Sequence, residues 1–122
     1  MAEEFSLKEI NRADPANMTD MMRKHTPLVD IPGKVKVGEP LAVSIKVGGI
    51  DGVEHPNLLG HWINWVELYA GERLLGRVEF APVVSESQAT LNIILEEPTT
   101  LRALASCNLH GLWESTKTVP LK

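Results

Sequence analysis

From residue 34 onward, apolar and polar residues alternate with a period of two, the pattern of half-buried strands. In LAVSIKV (41–47), Leu41, Val43, Ile45 and Val47 share one face, while Ala42, Ser44 and Lys46 share the other. HWINWVELY (61–69) is apolar on both faces, as an interior strand of a sandwich is. AGE (70–72) reads as a turn, which brings RLLGRVEF (73–80) back as the second strand of a hairpin. ATLNIIL (89–95) sets Ala89, Leu91, Ile93 and Leu95 against Thr90 and Asn92. LRALASC (101–107) lines up Leu101, Ala103, Ala105 and Cys107, and a last strand runs through STKTVPL (115–121). Turns containing Gly, Pro and Asp separate these runs, with no long helical pattern and no internal repeat. The expected fold is all-β: an immunoglobulin-like antiparallel β-sandwich of about seven strands.

Residues 1–27 break the alternation. They are polar, carry Asp14-Pro15 and Thr19-Asp20, and hold all four methionines, Met1, Met18, Met21 and Met22. A short helical turn is expected near FSLKEINRA (5–13). Met18, Met21 and Met22 fall at helical spacing, and anchoring this arm by apolar contact explains them better than a soft-metal box does. Residues 1–122 are read as one domain, with the 1–27 arm contributing Lys24 and His25.

Charge and cysteine usage narrow the classes of function. A net charge of −4 argues against nucleic acid, since phosphate binding needs a basic face. One cysteine forms no internal disulfide, so no oxidising compartment is implied. MAEEFSLKEI is too acidic for a signal peptide, and no apolar run approaches a membrane span. These features imply a soluble, cytoplasmic protein with no membrane partner.

The four histidines, His25, His55, His61 and His110, and the single thiol, Cys107, all fall in loops or at strand ends. A sandwich gathers its loops there, so separate segments can converge on a rigid frame. Each histidine alone is ordinary, and Cys-x-x-His by itself is a weak signal. As a set they read as a metal site. Structural zinc prefers four ligands and more than one thiolate. Copper sites on β-sandwiches place a methionine after the last histidine, and none follows His110. Four nitrogens and one sulfur suit iron, with the imidazoles in a plane, a thiolate on one axis and the opposite axis open. Counting charges leaves ferrous iron at about +1, and the thiolate pushes electron density onto it. Such a centre favours a small anionic oxidant.

KHTP (24–27), HPN (55–57), a histidine six residues after His55, and CNLHGLW (107–113) resemble the superoxide reductase family, in its short single-iron form also called neelaredoxin. The resemblance runs from Lys24 to the C-terminus and includes GRVEF (76–80). It implies His25, His55, His61 and His110 as equatorial ligands and Cys107 as the axial one. It also implies reduction of superoxide to hydrogen peroxide at ferrous iron, re-reduction by a rubredoxin-like donor, and a homotetramer. Longer relatives carry a four-cysteine iron domain, which a chain with one cysteine cannot build. A cupredoxin-like electron carrier and a structural metal-binding sandwich are the alternatives.

The family usually has Glu-Lys-His where this chain has Arg23-Lys24-His25, and its glutamate binds the open position of oxidised iron. A guanidinium has no acceptor and cannot ligate a metal. Arg23 is left as an added positive charge or a solvent-facing side chain, with Glu54 a weak substitute carboxylate. Lys24, beside a ligand, is the candidate for attracting the anion and for organising its protonation. Trp62 or Trp113 is expected to wall the site, and Trp65 to pack in the core. Asn108 and Leu109 offer backbone N–H groups to the sulfur.

Overall fold

The alternating runs resolve into two sheets. The computed structural model describes residues 4–120. In chain order these hold β1 (Asn11–Arg12), α1 (Asp20–His25), β2 (Pro27–Asp30), β3 (Pro40–Val47), β4 (Ile63–Ala70), β5 (Arg73–Glu79), β6 (Gln88–Ile94), β7 (Thr99–Cys107) and β8 (Gly111–Val119). One sheet has the order β1-β8-β7-β4-β5 and the other β2-β3-β6. All pairings are antiparallel except β1 with β8.

The faces predicted by alternation are the ones that meet. Leu41, Val43, Ile45 and Val47 from the smaller sheet, and Val66, Leu68, Leu101, Ala103, Ala105 and Cys107 from the larger, are all buried in one cluster. Full burial of a Val, Leu or Ile side chain contributes about 1.5–3 kcal/mol, so this shared face holds the frame. Among the described residues no helix is long and apolar enough to cross a membrane.

Five details depart from the pattern of the sequence. The helical turn lies at Asp20–His25 instead of 5–13. Thr19 caps it by accepting from the Met22 N–H, Asp20 sits in its first turn, and Arg23, Lys24 and His25 occupy its last, as the helix dipole favours. In the 5–13 segment, Asn11 instead bonds Ser6 twice and donates to the Leu112 carbonyl, which draws β1 onto β8. β2 adds a short strand beside β3 that alternation did not reveal.

The last strand runs from Gly111 to Val119, so it begins four residues earlier than expected, because its register with β7 starts at Cys107 opposite Gly111. Leu121, the expected end, lies outside the described residues, as does Met1. Trp65 is not in the core. It faces outward from β4, half-buried, with the Arg77 guanidinium 4.2 Å above its ring. That face carries a band of paired charges, with Glu114 held by Arg12 and Arg102, and Glu67 by Arg77 and the Tyr69 hydroxyl. The pairing explains how two buried glutamates are tolerated.

Candidate metal centre

Three segments and one strand end bring the donors to the same end of the sandwich. His25 is the last residue of α1 and is 1% exposed. The chain beyond it is fixed where the Ser115 hydroxyl donates to the Pro27 carbonyl. His55 follows the Gly48–Glu54 loop. Gly48 has φ +93°, and a Cβ there would lie 2.6 Å from the His55 backbone nitrogen, so only glycine lets the loop pass. His61 closes a bridge with Leu58 just before β4. Cys107 ends β7 opposite Ile63, where a bulge leaves Asn64 as an extra residue in β4. His110 stands in the turn to β8, whose Gly111 has φ +80°.

The four imidazoles form a square. Neighbouring ring centroids are 4.7 Å (His25–His55), 4.8 Å (His55–His61), 4.9 Å (His61–His110) and 4.9 Å (His25–His110) apart. Each neighbouring pair is steeply inclined, by 65–82°. Across the diagonal, His25 and His61 are 6.4 Å apart and only 29° from parallel. The Cys107 sulfur lies 3.4 Å from His55 Nε2 and 3.7 Å from His110 Nδ1, the other diagonal pair, and therefore near the axis of the square. The donor atoms of His25, His55, His61 and Cys107 all fall within 4.8 Å of one another. His110 is outside that tightest group but supplies the fourth corner.

Polar satisfaction shows what the square is built for. His25 Nδ1 bonds the Met21 carbonyl at 2.7 Å and His55 Nδ1 bonds the Pro56 carbonyl at 2.6 Å. Donation through Nδ1 leaves the Nε2 lone pair of each ring facing inward. Nε2 of His25 and of His61 is buried with no hydrogen-bond partner in the protein. Buried acceptors are rarely left so, and a metal ion satisfies both.

Burial dominates the electrostatics. It lowers the pKa of His25 to about 4 and of His55 to about 3, and it lowers those of His61 and His110 as well. All four rings are therefore neutral near pH 7, as ligands must be. Burial raises the Cys107 pKa, while the backbone N–H groups of Leu109 and His110 pull it down. A cation at the centre supplies what the thiol lacks for ionisation. The residues fit a mononuclear ion of borderline softness.

The surrounding residues sort differently from their sequence order. Trp113, 1% exposed, stacks on His25 at 5.1 Å and 21°, and its indole N–H donates to the His110 carbonyl. Trp62 turns its indole N–H to the Phe80 carbonyl instead. Phe5 meets the edge of the His110 ring at 4.8 Å, a contact that nothing in the sequence signalled. The Asn108 N–H goes to the Trp62 carbonyl, not to the sulfur; the second backbone donor near Cys107 belongs to His110. The Asn108 side chain also binds Trp62 N–H and the Gly60 carbonyl, tying the His61 loop to the Cys107 turn.

Lys24 enters none of the ion pairs among the described residues, and its charge helps lower the pKa values of His25, His61 and His110. Arg23, by contrast, neither reaches the centre as a free charge nor points into solvent. It is bound to Asp51 at 3.0 Å and Asp20 at 3.1 Å. Glu54 pairs with Lys46 at 3.5 Å.

An immunoglobulin-like sandwich whose loops close four imidazoles and a thiol into one cage defines a mononuclear metal-centre protein. The chain belongs to the desulfoferrodoxin family, whose model matches residues 17–116. A superoxide reductase from Pyrococcus horikoshii is 34% identical over 101 residues, covering 75% of this chain and 84% of that protein. Neelaredoxin from Megalodesulfovibrio gigas is 30% identical over 117 residues, covering 81% and 88%. Among solved structures, a variant of the superoxide reductase (neelaredoxin) from Ignicoccus hospitalis superposes with a TM-score of 0.81 at 35% identity, covering 94% of this chain and 96% of that one.

Proposed function

We propose that this protein is a superoxide reductase, converting superoxide to hydrogen peroxide with one electron and two protons at a mononuclear non-haem iron. The observation that carries the proposal is the square of imidazoles with a sulfur on its axis, in a chain of the desulfoferrodoxin family. His25, His55, His61, His110 and Cys107 would together hold the iron. Bound there, ferrous iron would supply the electron, and the Cys107 thiolate would make it more strongly reducing.

The remaining work falls to the chain itself. The two Nδ1 hydrogen bonds to backbone carbonyls fix the orientation of His25 and His55 before a metal arrives. Trp113 seals the inner face of His25 against water. Lys24, beside His25 and without a carboxylate partner among the described residues, attracts the anionic substrate and orders the water that delivers protons. The reaction also needs an external one-electron donor. A rubredoxin-like protein and a homotetrameric, cytoplasmic enzyme fit this reading by family likeness.

Iron analysis combined with superoxide consumption tests it. The expected result is one iron per chain, a red-region absorption that bleaches on reduction, and one peroxide formed per superoxide consumed. Cys107→Ser should lose both the absorption and the reduction. A wild-type chain that holds no iron, or that forms peroxide from superoxide in the half-stoichiometry of dismutation, sinks the reading.

A further inference from the structure

The loop that delivers His55 is an unusual piece of backbone. Gly48, Gly49, Asp51 and Gly52 all have positive φ, at +93°, +97°, +52° and +79°. Its internal hydrogen bonds are short-range: Gly49 N–H to Val53, Gly52 N–H to Gly49 and Val53 N–H to Ile50. Such a glycine-rich turn loses much conformational freedom on folding. It needs ties to fixed structure if His55 is to be held in place.

Two ties exist. Lys46 of β3 reaches Glu54 at 3.5 Å, with both side chains largely exposed. The other comes from α1, where Arg23 donates from Nε to Asp51 at the loop tip and from a terminal nitrogen to Asp20 in its own helix. The Arg23 side chain is 25% exposed, although both carboxylates are open to solvent. The guanidinium fork suits this double role, because its donors are rigidly spaced. Arg23 stands two residues before His25 and Asp51 four before His55, and the two imidazoles are neighbours in the square at 4.7 Å. The ion pair therefore spans the two segments that bear one edge of the centre.

We propose that Arg23 is a positioning residue that clasps α1 to the Gly48–Glu54 loop through Asp51 and so holds the His25–His55 edge in the geometry that retains a metal. The inference rests on the ligand reading given above and deepens it. Ion pairs with solvent-exposed carboxylates contribute little to global stability. The influence of this one is local: it limits how far two donors drift apart when one releases the ion.

Cobalt(II) as the probe separates the clasp from the ligand set. The purified metal-free chain is loaded with cobalt, and the thiolate-to-cobalt absorption is followed after addition of excess chelator. Arg23→Ala and Asp51→Ala are each expected to release cobalt roughly three- to tenfold faster than wild type at low salt. The double variant should be no faster than either single one, and Asp20→Ala should have the smaller effect. The swapped pair, Arg23→Asp with Asp51→Arg, should recover slow release.

The melting temperature of each metal-free variant should stay within a few degrees of wild type. Wild-type release from Arg23→Ala overturns the clasp, as do additive effects of the two single variants. A melting temperature that falls in step with metal retention reduces Arg23 to a general stabilising residue and also overturns it. If wild type itself gives no thiolate-to-cobalt band, the ligand reading fails first and takes the clasp with it.

Discussion

Trp113 lies against His25, ring centroids 5.1 Å apart and planes 21° from parallel, while its indole N–H donates to the His110 carbonyl at 3.0 Å. One fully buried side chain thus braces two neighbouring corners of the imidazole square. It does so by shape and by a hydrogen bond, and the two can be separated. Trp113→Phe keeps an aromatic face under His25 but leaves the His110 carbonyl without its donor, for an expected cost of about 1–2 kcal/mol. Trp113→Ala removes the face as well and should cost about 3–5 kcal/mol. Denaturant melts of the metal-free variants measure both: an unchanged stability in Trp113→Phe would deny the hydrogen bond any part, and equal losses in the two variants would deny the ring face any.

Lys24 is expected to act through charge. In water two unit charges about 4 Å apart interact by roughly 1 kcal/mol, and more where water is excluded. Lys24→Ala should therefore slow the second-order reaction with superoxide about five- to fiftyfold, with iron content unchanged. It should also flatten the dependence of that rate on ionic strength, whereas Lys24→Arg should preserve the slope. Pulse radiolysis at two salt concentrations gives both numbers. An unaltered rate and salt slope in Lys24→Ala would remove Lys24 from the mechanism.

Gly48 and Gly52 offer a matched comparison. Both have positive φ, but a Cβ at Gly48 would strike the His55 backbone nitrogen at 2.6 Å, while one at Gly52 meets nothing within 4 Å. Gly52→Ala should cost only backbone strain, about 1 kcal/mol. Gly48→Ala adds a collision with a ligand-bearing residue, so it should lower metal occupancy markedly as well as stability. Metal analysis of the two variants after identical purification decides this. Equal occupancy would show that the loop yields at no expense to His55.

The metal-free chain should have a stability plateau bounded on both sides. Burial holds the folded pKa of His25 near 4 and of His55 near 3, below the ordinary 6.5. Below about pH 6.5 the unfolded chain takes up protons that the folded chain refuses, so stability is full above that pH and falls as pH drops towards 4 and then 3. Each tenfold difference in proton affinity between the folded and unfolded chain corresponds to about 1.4 kcal/mol, and the combined loss reaches several kcal/mol. Cys107 acts in the opposite sense. Its pKa is raised above the ordinary 9.0, so its contribution is present below pH 9.0 and lost as the pH rises further. Melting temperatures of chelator-treated protein from pH 4 to 10 should trace this dome about a maximum on the neutral side. A profile flat from pH 7 down to 4.5 would contradict it.

Period-two alternation was enough to assign the core faces of β3 and β7, because a strand buried on one side must place every second residue in hydrocarbon. It misjudged Trp65 because an aromatic ring can be covered equally well by an arginine on the neighbouring strand, and Arg77 is placed there only by the β4–β5 pairing. α1 is six residues long, too short for periodicity to register, and its capping Thr19-Asp20 pair reads in the sequence only as part of a polar arm. β1 was not legible at all. Two residues form it, and a contact between Asn11 and Leu112 holds it.

The sequence by itself determined the inventory: one thiol, four imidazoles, their places in loops or at the ends of elements, and an apolar pattern that admits little besides a sandwich. Only the tertiary structure decided which side chains face one another. It set the rings into a square, turned Nε2 of His25 and His61 inward without partners, put Trp113 behind one corner and drew Arg23 away to Asp51. The physical reason is distance along the chain. Alternation and capping are written in neighbours a few residues apart, whereas the centre joins residues from 25 to 110, and the packing of two sheets alone brings them together.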